Sequence, residues 1–226
     1  MSKRPAGSVA SSHERLKPTD HTELYHIVHR KNLQSIFEHG LLSHEAAQQY
    51  RPLNIARERP QTIRREREIH DYACLYFNAQ NAMLFDVILR AEIKGYSWDD
   101  ICVLVVSPEV LDLEEVRVSD GGLGSQETSD PLPMPTGVKR LRRTKVFALG
   151  WNQDEAQQEE NKRLAMAEVL IPNEIAPEYI EAVYTFSYRA YAVLKPLFPK
   201  LELFVREDWL ALGTTSIAKQ MDGDAT

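Results

Sequence analysis

The sequence predicts one α+β domain with a mixed or antiparallel β-sheet core and surrounding helices. Roughly six short runs have the apolar pattern of strands, and helical stretches interrupt them. No regular βαβ repeat, GxGxxG motif or GxxxxGK[ST] motif occurs, so a Rossmann or P-loop nucleotide site is not supported. With 226 residues, 43% of them hydrophobic, the chain can bury one full core.

The first half of this domain begins with a strand followed by a helix. Residues 23–29 have a strand pattern, and residues 32–39 place apolar side chains at helical spacing, with Gly40 as the C-terminal stop. An extended segment at 72–77 and a helix at 82–89 come next.

The second half begins with the apolar run 101–107, which is typical of a strand. The glycines and prolines of residues 119–137 predict a long surface loop, a common place for substrate contacts. The other predicted elements are a helical turn at 108–111, a strand at 116–118, a helix at 154–163, a strand around Glu168, a strand at 182–186, a helix at 189–197 and a strand at 201–205. Residues 21–212 are expected to form the domain, between a disordered lead (1–20) and a flexible tail (213–226).

Composition narrows the class of protein. The longest apolar stretches are far too short to span a bilayer and the N-terminus is polar, so we expect a soluble, cytoplasmic protein without a membrane partner. Cys74 and Cys102 lie in apolar runs without CxxC spacing, which predicts reduced core thiols and indicates neither a disulfide framework nor a metal site.

The net charge of -6 hides two local basic clusters. Residues 57–67 contain five arginines and two glutamates, and residues 139–145 contain five basic residues and no acid. Such clusters are either solvated faces or phosphate-binding surfaces, since arginine binds phosphate through two parallel hydrogen bonds. The candidate nucleic-acid contacts in them are Arg57, Arg59, Lys139, Arg140, Arg142 and Arg143.

Glu168 is a single carboxylate in the apolar run 164–172. With strand periodicity it shares a face with Met166 and Leu170, so its neighbours are apolar. Two interpretations remain open from the pattern: a charge that protects an edge strand from pairing, or a functional carboxylate.

Three ordered blocks together resemble the DarT family of DNA ADP-ribosyltransferases. Residues 24–29 read LYHIVH and lead into Asn32 and Gly40, residues 70–78 read HDYACLYFN, and residues 167–172 read AEVLIP. The resemblance spans roughly residues 23–180. It implies an ADP-ribosyltransferase-like split β-sheet whose cleft holds NAD as co-substrate, with no metal.

The resemblance also implies roles for individual residues. Glu168 would hydrogen-bond the ribose hydroxyls of NAD and stabilise an oxocarbenium-like state, as carboxylates do in glycoside hydrolysis. The family's key arginine falls at Arg64 or Arg65, of which Arg64 is preferred. Positions implied to bind the co-substrate are His26, Asn32, Gly40, Tyr76 and Met83.

By the same resemblance, the acceptor is a base of single-stranded DNA, and its modification would block replication. Ala79, Gln80 and Ala82 depart from a common family pattern, and Asn78 with Asn81 slightly favours guanine over thymine. The implied role is a toxin with a cognate antitoxin, a macrodomain-type or other ADP-ribosyl hydrolase. The alternatives are an RNA or protein acceptor, or a nucleic-acid-binding module without catalysis.

Overall fold

An eight-stranded sheet is the centre of the fold in this computed structural model, which describes residues 23–148 and 157–209. The predicted lead (1–20), the tail (213–226) and the first residues of the helix predicted at 154–163 lie outside the described residues.

The elements are short and alternate along the chain. The strands are β1 (Leu24–His29), β2 (Leu41–Leu42), β3 (Tyr72–Tyr76), β4 (Ile101–Val106), β5 (Arg117–Val118), β6 (Leu132–Pro133), β7 (Glu168–Pro172), β8 (Glu174–Ile175), β9 (Ile180–Thr185) and β10 (Glu202–Val205). The helices are α1 (Leu33–His39), α2 (His44–Ala47), α3 (Glu58–Glu66), α4 (Ala82–Leu89), α5 (Thr136–Arg140), α6 (Arg143–Val146), α7 (Gln158–Ala165) and α8 (Tyr188–Leu194).

The large sheet has the strand order β10-β9-β4-β1-β3-β7-β5-β6, with β2 and β8 as a separate pair. Its pairings are antiparallel except for β10 with β9, which confirms the mixed sheet of the α+β prediction. Strand β1 pairs with β4 along its whole length but with β3 only at Tyr25 and Tyr76. The sheet therefore splits between β1 and β3, and a cleft opens there.

The predicted count of about six strands was too low for the described residues. The strands that the sequence missed, β2, β6 and β8, contain two residues each. Two residues carry no measurable alternation, so tertiary pairing defines such strands. Strand β5 is equally short, but the sequence predicted it as part of the longer run 116–118. Strand β4 was predictable because all six of its residues are buried, which gives a continuous apolar run.

The edge-strand interpretation of Glu168 is wrong. Strand β7 lies between β3 and β5, so both of its edges are paired. The side chain of Glu168 is 1% exposed, and its residue neighbours on the two faces of β7 are buried apolar groups. A charge in this position is retained for a reason other than blocking an edge.

The prediction of a surface loop at 119–137 was wrong for its first half. Ser119, Gly121, Gly122 and Leu123 are buried. Glycine and proline content correctly indicated irregular backbone, but it does not report burial. Here Gly122 packs on Met166, at the end of α7 and just before β7, so this part of the loop lies against the body of the protein instead of extending into solvent.

Gly40 ends α1, and Gly40→Ala is expected to destabilise the fold by roughly 2–4 kcal/mol. Its backbone has φ 88° and ψ 167°, a region that is essentially restricted to glycine. An added Cβ would also lie 2.8 Å from the carbonyl oxygen of Ile175. The measurement is the free energy of unfolding in urea.

The control for this prediction is Gly95→Ala. Gly95 has φ 78°, but an added Cβ would meet no atom within 4 Å. This variant should therefore lose only the conformational term, about 1 kcal/mol. Equal losses in the two variants would mean that the contact with Ile175 has no energetic weight.

Candidate active site

A cavity of about 830 Å³ occupies the cleft where β1 and β3 separate. Its size is in the range of small-molecule and cofactor sites. Strands β1 and β3, helix α3 and residues 50–57 contribute half of the residues that line it. The predicted site residues that line it are His26, Asn32, Gly40, Arg57, Arg64, Tyr76, Met83 and Glu168.

An ion pair between Arg64 and Glu168 lies in the wall of this cavity. Nη1 of Arg64 donates to both carboxylate oxygens of Glu168, at 2.9 Å and 2.7 Å. The side chains are 13% and 1% exposed, so the pair is largely removed from water. Since a buried charge without a partner is costly, each group supplies the counter-charge that the other needs at this position.

Helix geometry decides which of the two neighbouring arginines reaches the cavity. Pro60, Gln61 and Arg64 line it, and their spacing of three and four residues places them on one face of α3. Arg65 is one residue further, about 100° around the helix. It is exposed and lines a second, neighbouring cavity with Glu68.

The carboxylate of Glu168 is also held by a backbone amide that sequence reasoning missed. Leu123 N–H donates to Oε1 of Glu168 at 2.8 Å. Oε1 thus accepts bonds from both Arg64 and Leu123, whereas Oε2 accepts only from Arg64 among the described residues. A carboxylate oxygen can accept two hydrogen bonds, so Oε2 retains capacity for a ligand hydroxyl.

Cys74 is a second contact that the sequence did not reveal, since its apolar run predicted only a core thiol. Nη2 of Arg64 lies 2.7 Å from its Sγ, and the thiol lines the cavity. Burial raises the pKa of Cys74 to about 11, although Arg64 opposes the shift. The group is therefore a neutral thiol near pH 7, and it orients the second arm of the guanidinium.

His26 fills the gap where β1 leaves β3. Its Nδ1 lies 2.9 Å from the carbonyl oxygen of Cys74. Because a carbonyl only accepts, Nδ1 carries the proton and Nε2 is a lone-pair acceptor in the neutral ring. Burial lowers the pKa of His26 below 6.5, the Cys74 carbonyl opposes this, and Arg64 lowers it further.

The stability of the protein is expected to fall as pH decreases below 6.5. The unfolded His26 takes up a proton near pH 6.5, whereas the folded ring, with its lowered pKa, resists protonation until lower pH. One such histidine contributes at most about 1.4 kcal/mol per pH unit in this window. His26→Asn, which can keep the bond to Cys74, should reduce the slope in urea unfolding between pH 7 and 5; an unchanged slope would contradict this.

Tyr76 and Asn32 have different roles in shaping the cavity. Tyr76 pairs directly opposite Glu168 across β3 and β7, so both side chains point to the same face. Burial, and then Glu168, raises the pKa of Tyr76, which keeps it a neutral phenol. The side-chain amide of Asn32 donates to the carbonyl of Leu53 at 3.0 Å and accepts from the N–H of Leu53 at 2.9 Å. These two bonds hold residues 50–57, which line one side of the cavity.

The predicted nucleic-acid contacts are only in part near the cavity. Arg57 lines it and is paired with Asp86. Arg140 lies 3.5 Å from Asp120, and Arg142 lies 3.5 Å from Glu160. The residues of the predicted set that do not line the cavity are Arg59, Lys139, Arg140, Arg142 and Arg143.

Two further properties concern the described residues as a whole. No group of three or more His, Cys, Asp or Glu side chains in residues 23–148 and 157–209 is arranged to hold a metal ion. Within the same ranges, every helix is too short or too polar to cross a bilayer.

The model of the family described as "ssDNA thymidine ADP-ribosyltransferase, DarT" matches residues 25–210. The chain belongs to the DarT family. A DNA ADP-ribosyl transferase-DNA ADP-ribosyl glycohydrolase fusion protein of Thermosipho africanus (strain H17ap60334) is 25% identical over 181 residues. The alignment covers 76% of this chain and 45% of that protein, so this DarT chain spans less than half the length of that relative.

Two solved DarT structures have the same fold. Thermus sp. 2.9 DarT in complex with ADP-ribosylated ssDNA has a TM-score of 0.69 and 24% identity, over 85% of this chain and 99% of that chain. Thermosipho africanus DarTG in complex with ADP-ribose has a TM-score of 0.66 and 23% identity, over 84% of this chain and 51% of that chain. The likeness confirms the ADP-ribosyltransferase-like fold.

Proposed function

We propose that this DarT chain transfers one ADP-ribose unit from NAD to a base of single-stranded DNA. The observation that carries the proposal is the buried Glu168 carboxylate, held by Arg64 in the wall of a large cavity. Membership of the DarT family supports the reaction class. The solved structures of Thermus sp. 2.9 DarT contain NAD+ in one case and ADP-ribosylated ssDNA in another.

The proposed reaction breaks one bond and forms one bond at the same ribose carbon. The bond between C1′ and the nicotinamide nitrogen breaks, and its electron pair leaves with neutral nicotinamide. The ribose becomes oxocarbenium-like, and a nitrogen of the acceptor base donates its electron pair to C1′. The base nitrogen releases its proton to solvent as the new bond forms, so the products are the ADP-ribosylated base, neutral nicotinamide and one proton.

Glu168 supplies the charge that this transition state needs. Its Oε2 has capacity to accept a bond from a hydroxyl of the nicotinamide ribose, while Oε1 is occupied by Leu123 and Arg64. A negative charge fixed before substrate arrives stabilises the developing positive charge without reorganisation, and the dry surroundings strengthen the effect.

The remaining cavity residues would bind NAD. Tyr76 and Met83 offer an aromatic face and a polarisable thioether to the nicotinamide ring. His26 presents the acceptor Nε2, and Arg64 combines its hold on Glu168 with a positive charge close to the acceptor base. Gly40 and Asn32 would shape the wall, Gly40 by leaving room and Asn32 through its bonds to Leu53.

We propose that single-stranded DNA reaches this cavity along the first basic cluster. Extruding a base from a duplex costs a few kcal/mol, so a single strand is the favoured substrate. Arg57 stands at the cavity and Arg59 is exposed nearby on α3. Lys139, Arg140, Arg142 and Arg143 would contact phosphates further from the reacting base.

Thymine is the acceptor base that we propose. The family description names thymidine. The preference for guanine depended on Asn78 and Asn81, whose side chains are used in the structure to hold backbone. The amide of Asn78 donates to the carbonyls of Val146 and Ala148, and Asn81 accepts from Leu84 N as the cap of α4. Neither amide is therefore available to contact a base directly.

The experiment is a scan of acceptors. The protein is incubated with NAD and four single-stranded oligonucleotides, each with one candidate base, and with a matching RNA. Mass spectrometry should detect one added ADP-ribose on the thymine oligonucleotide. A gain on the guanine oligonucleotide would support the alternative base, and a gain on RNA alone would refute a DNA acceptor. No gain on any acceptor would refute the transfer.

A toxin role follows from this chemistry. An ADP-ribose on a template base would block replication, and reversal needs an ADP-ribosyl hydrolase, of macrodomain type or another type. The glycohydrolase half of the Thermosipho africanus fusion protein supports such a partner. We also propose that the protein acts in the cytoplasm. Residues 21–212 are proposed to form its single domain.

A further inference from the structure

One serine holds the backbone on which Glu168 is mounted. Ser119 follows β5 directly, is 1% exposed and lies beside the first residue of β7. Its N–H donates to the carbonyl of Glu168 at 2.9 Å, and its Oγ accepts from the N–H of Glu168 at 3.0 Å. Both backbone groups of Glu168 are thus bonded to one residue.

The same hydroxyl also shapes the turn that follows. The Oγ–H of Ser119 donates to the carbonyl of Gly121 at 2.7 Å. A hydroxyl has one proton. We assign it to the carbonyl of Gly121, since the carbonyl of Glu168 is further away, at 3.5 Å, and the oxygen then accepts from the N–H of Glu168. The turn then brings Leu123 N–H to Oε1 of Glu168, at 2.8 Å.

Other bonds hold the rest of the loop in place. The hydroxyl of Thr128 donates to the carbonyl of Gly122 at 2.7 Å, and Gly122 N–H donates to the carbonyl of Arg163 at 2.9 Å. Nη2 of Arg67 donates to the carbonyl of Ser125 at 3.1 Å. These hydrogen bonds hold the loop in one conformation. Ser119 connects the loop to the residue that carries the carboxylate, Glu168.

We propose that Ser119 is a positioning residue for Glu168. Its hydroxyl couples the main chain of Glu168 to the turn that presents the Leu123 amide, and this holds Oε1 so that Oε2 faces the ribose of NAD. Without the hydroxyl, the Leu123 amide moves away and the carboxylate rotates toward Arg64. This inference rests on the proposed transfer reaction.

The test compares Ser119→Thr with Ser119→Val, two side chains of nearly equal shape that differ in the hydroxyl. The Thr variant should exceed the Val variant in kcat by roughly 10- to 100-fold, the range seen when a supporting contact is lost. KM for NAD should agree within about twofold, because the change affects the transition state more than binding. Ser119→Ala should resemble the Val variant.

Three outcomes decide the inference. Equal kcat values for the Thr and Val variants, with an active wild type, would overturn it while leaving the proposed function intact. A Val variant with a lower kcat than the Thr variant, together with a lower melting temperature and a higher KM for NAD, is the second outcome. That result would also overturn the inference, because the hydroxyl would then support only the fold. A wild type that transfers nothing would refute the proposed function itself. Ser129→Ala, in the exposed part of the loop, is the control for the assay.

Discussion

Glu168→Gln is expected to lower the rate of ADP-ribose transfer by about 10²- to 10³-fold. Glutamine keeps the volume and can still accept a bond from Leu123, but it has no charge to stabilise an oxocarbenium-like ribose. Binding of NAD should change little, since most of the cavity wall is unaltered. The rate is measured by mass spectrometry under single turnover, and NAD affinity by calorimetry.

The matched control for this variant is Glu174→Gln. Glu174 lies on β8, two residues beyond the end of β7, and is exposed. It undergoes the same chemical change without a buried partner, so transfer should stay close to the wild-type rate. A Glu168→Gln variant that also transferred at this rate would show that the carboxylate has no role in catalysis.

Arg64→Ala and Arg65→Ala are expected to differ sharply. Removing Arg64 leaves the Glu168 carboxylate buried without its cation, which should cost about 3–5 kcal/mol of the free energy of unfolding and most of the transfer activity. Arg65 is exposed, so Arg65→Ala should change stability by about 0.5 kcal/mol or less. Urea unfolding and the transfer assay measure the two effects.

Arg64→Lys separates charge from geometry at this position. Lysine keeps a cation near Glu168 but cannot bond both the carboxylate and the Cys74 thiol with a planar fork. We expect most of the stability to be retained and the activity to fall. Similar modest losses from Arg64→Ala and Arg65→Ala would instead mean that α3 supplies only general positive charge.

Much of the fold was predictable because its signals are local. Gly40 ended the first predicted helix, and the helix at 82–89 has the predicted bounds, with Asn81 as its N-terminal cap. Strand β4 was evident from its apolar run, because both of its faces are covered. In each case residues within the element or directly next to it carry the information.

The split of the sheet was not predictable from local pattern. Strands β1 and β3 each have a normal strand sequence, and nothing in either one specifies that they pair only at Tyr25 and Tyr76. The expectation of a split sheet came from resemblance to a family. In the structure, the ring of His26 on β1 donates to the carbonyl of Cys74 on β3, where a regular sheet would have a backbone–backbone hydrogen bond.

The site was predictable where side-chain type carries the chemistry and hidden where backbone or packing does. Glu168 stood out as a charge among apolar residues. The amide of Leu123 is a backbone donor that leaves no mark in the sequence, and Ser119 is one serine in a loop rich in small residues. The choice between Arg64 and Arg65 required knowing which face of α3 meets the cavity.

Glu168 is proposed to act on the nicotinamide ribose of NAD bound in the split of the sheet. The most direct measurement is a crystal structure of this protein with an NAD analogue whose glycosidic bond cannot break. We predict a ribose hydroxyl within hydrogen-bonding distance of Oε2 of Glu168, with the nicotinamide against Tyr76. An analogue bound elsewhere, or with its ribose out of reach of Glu168, would contradict the account.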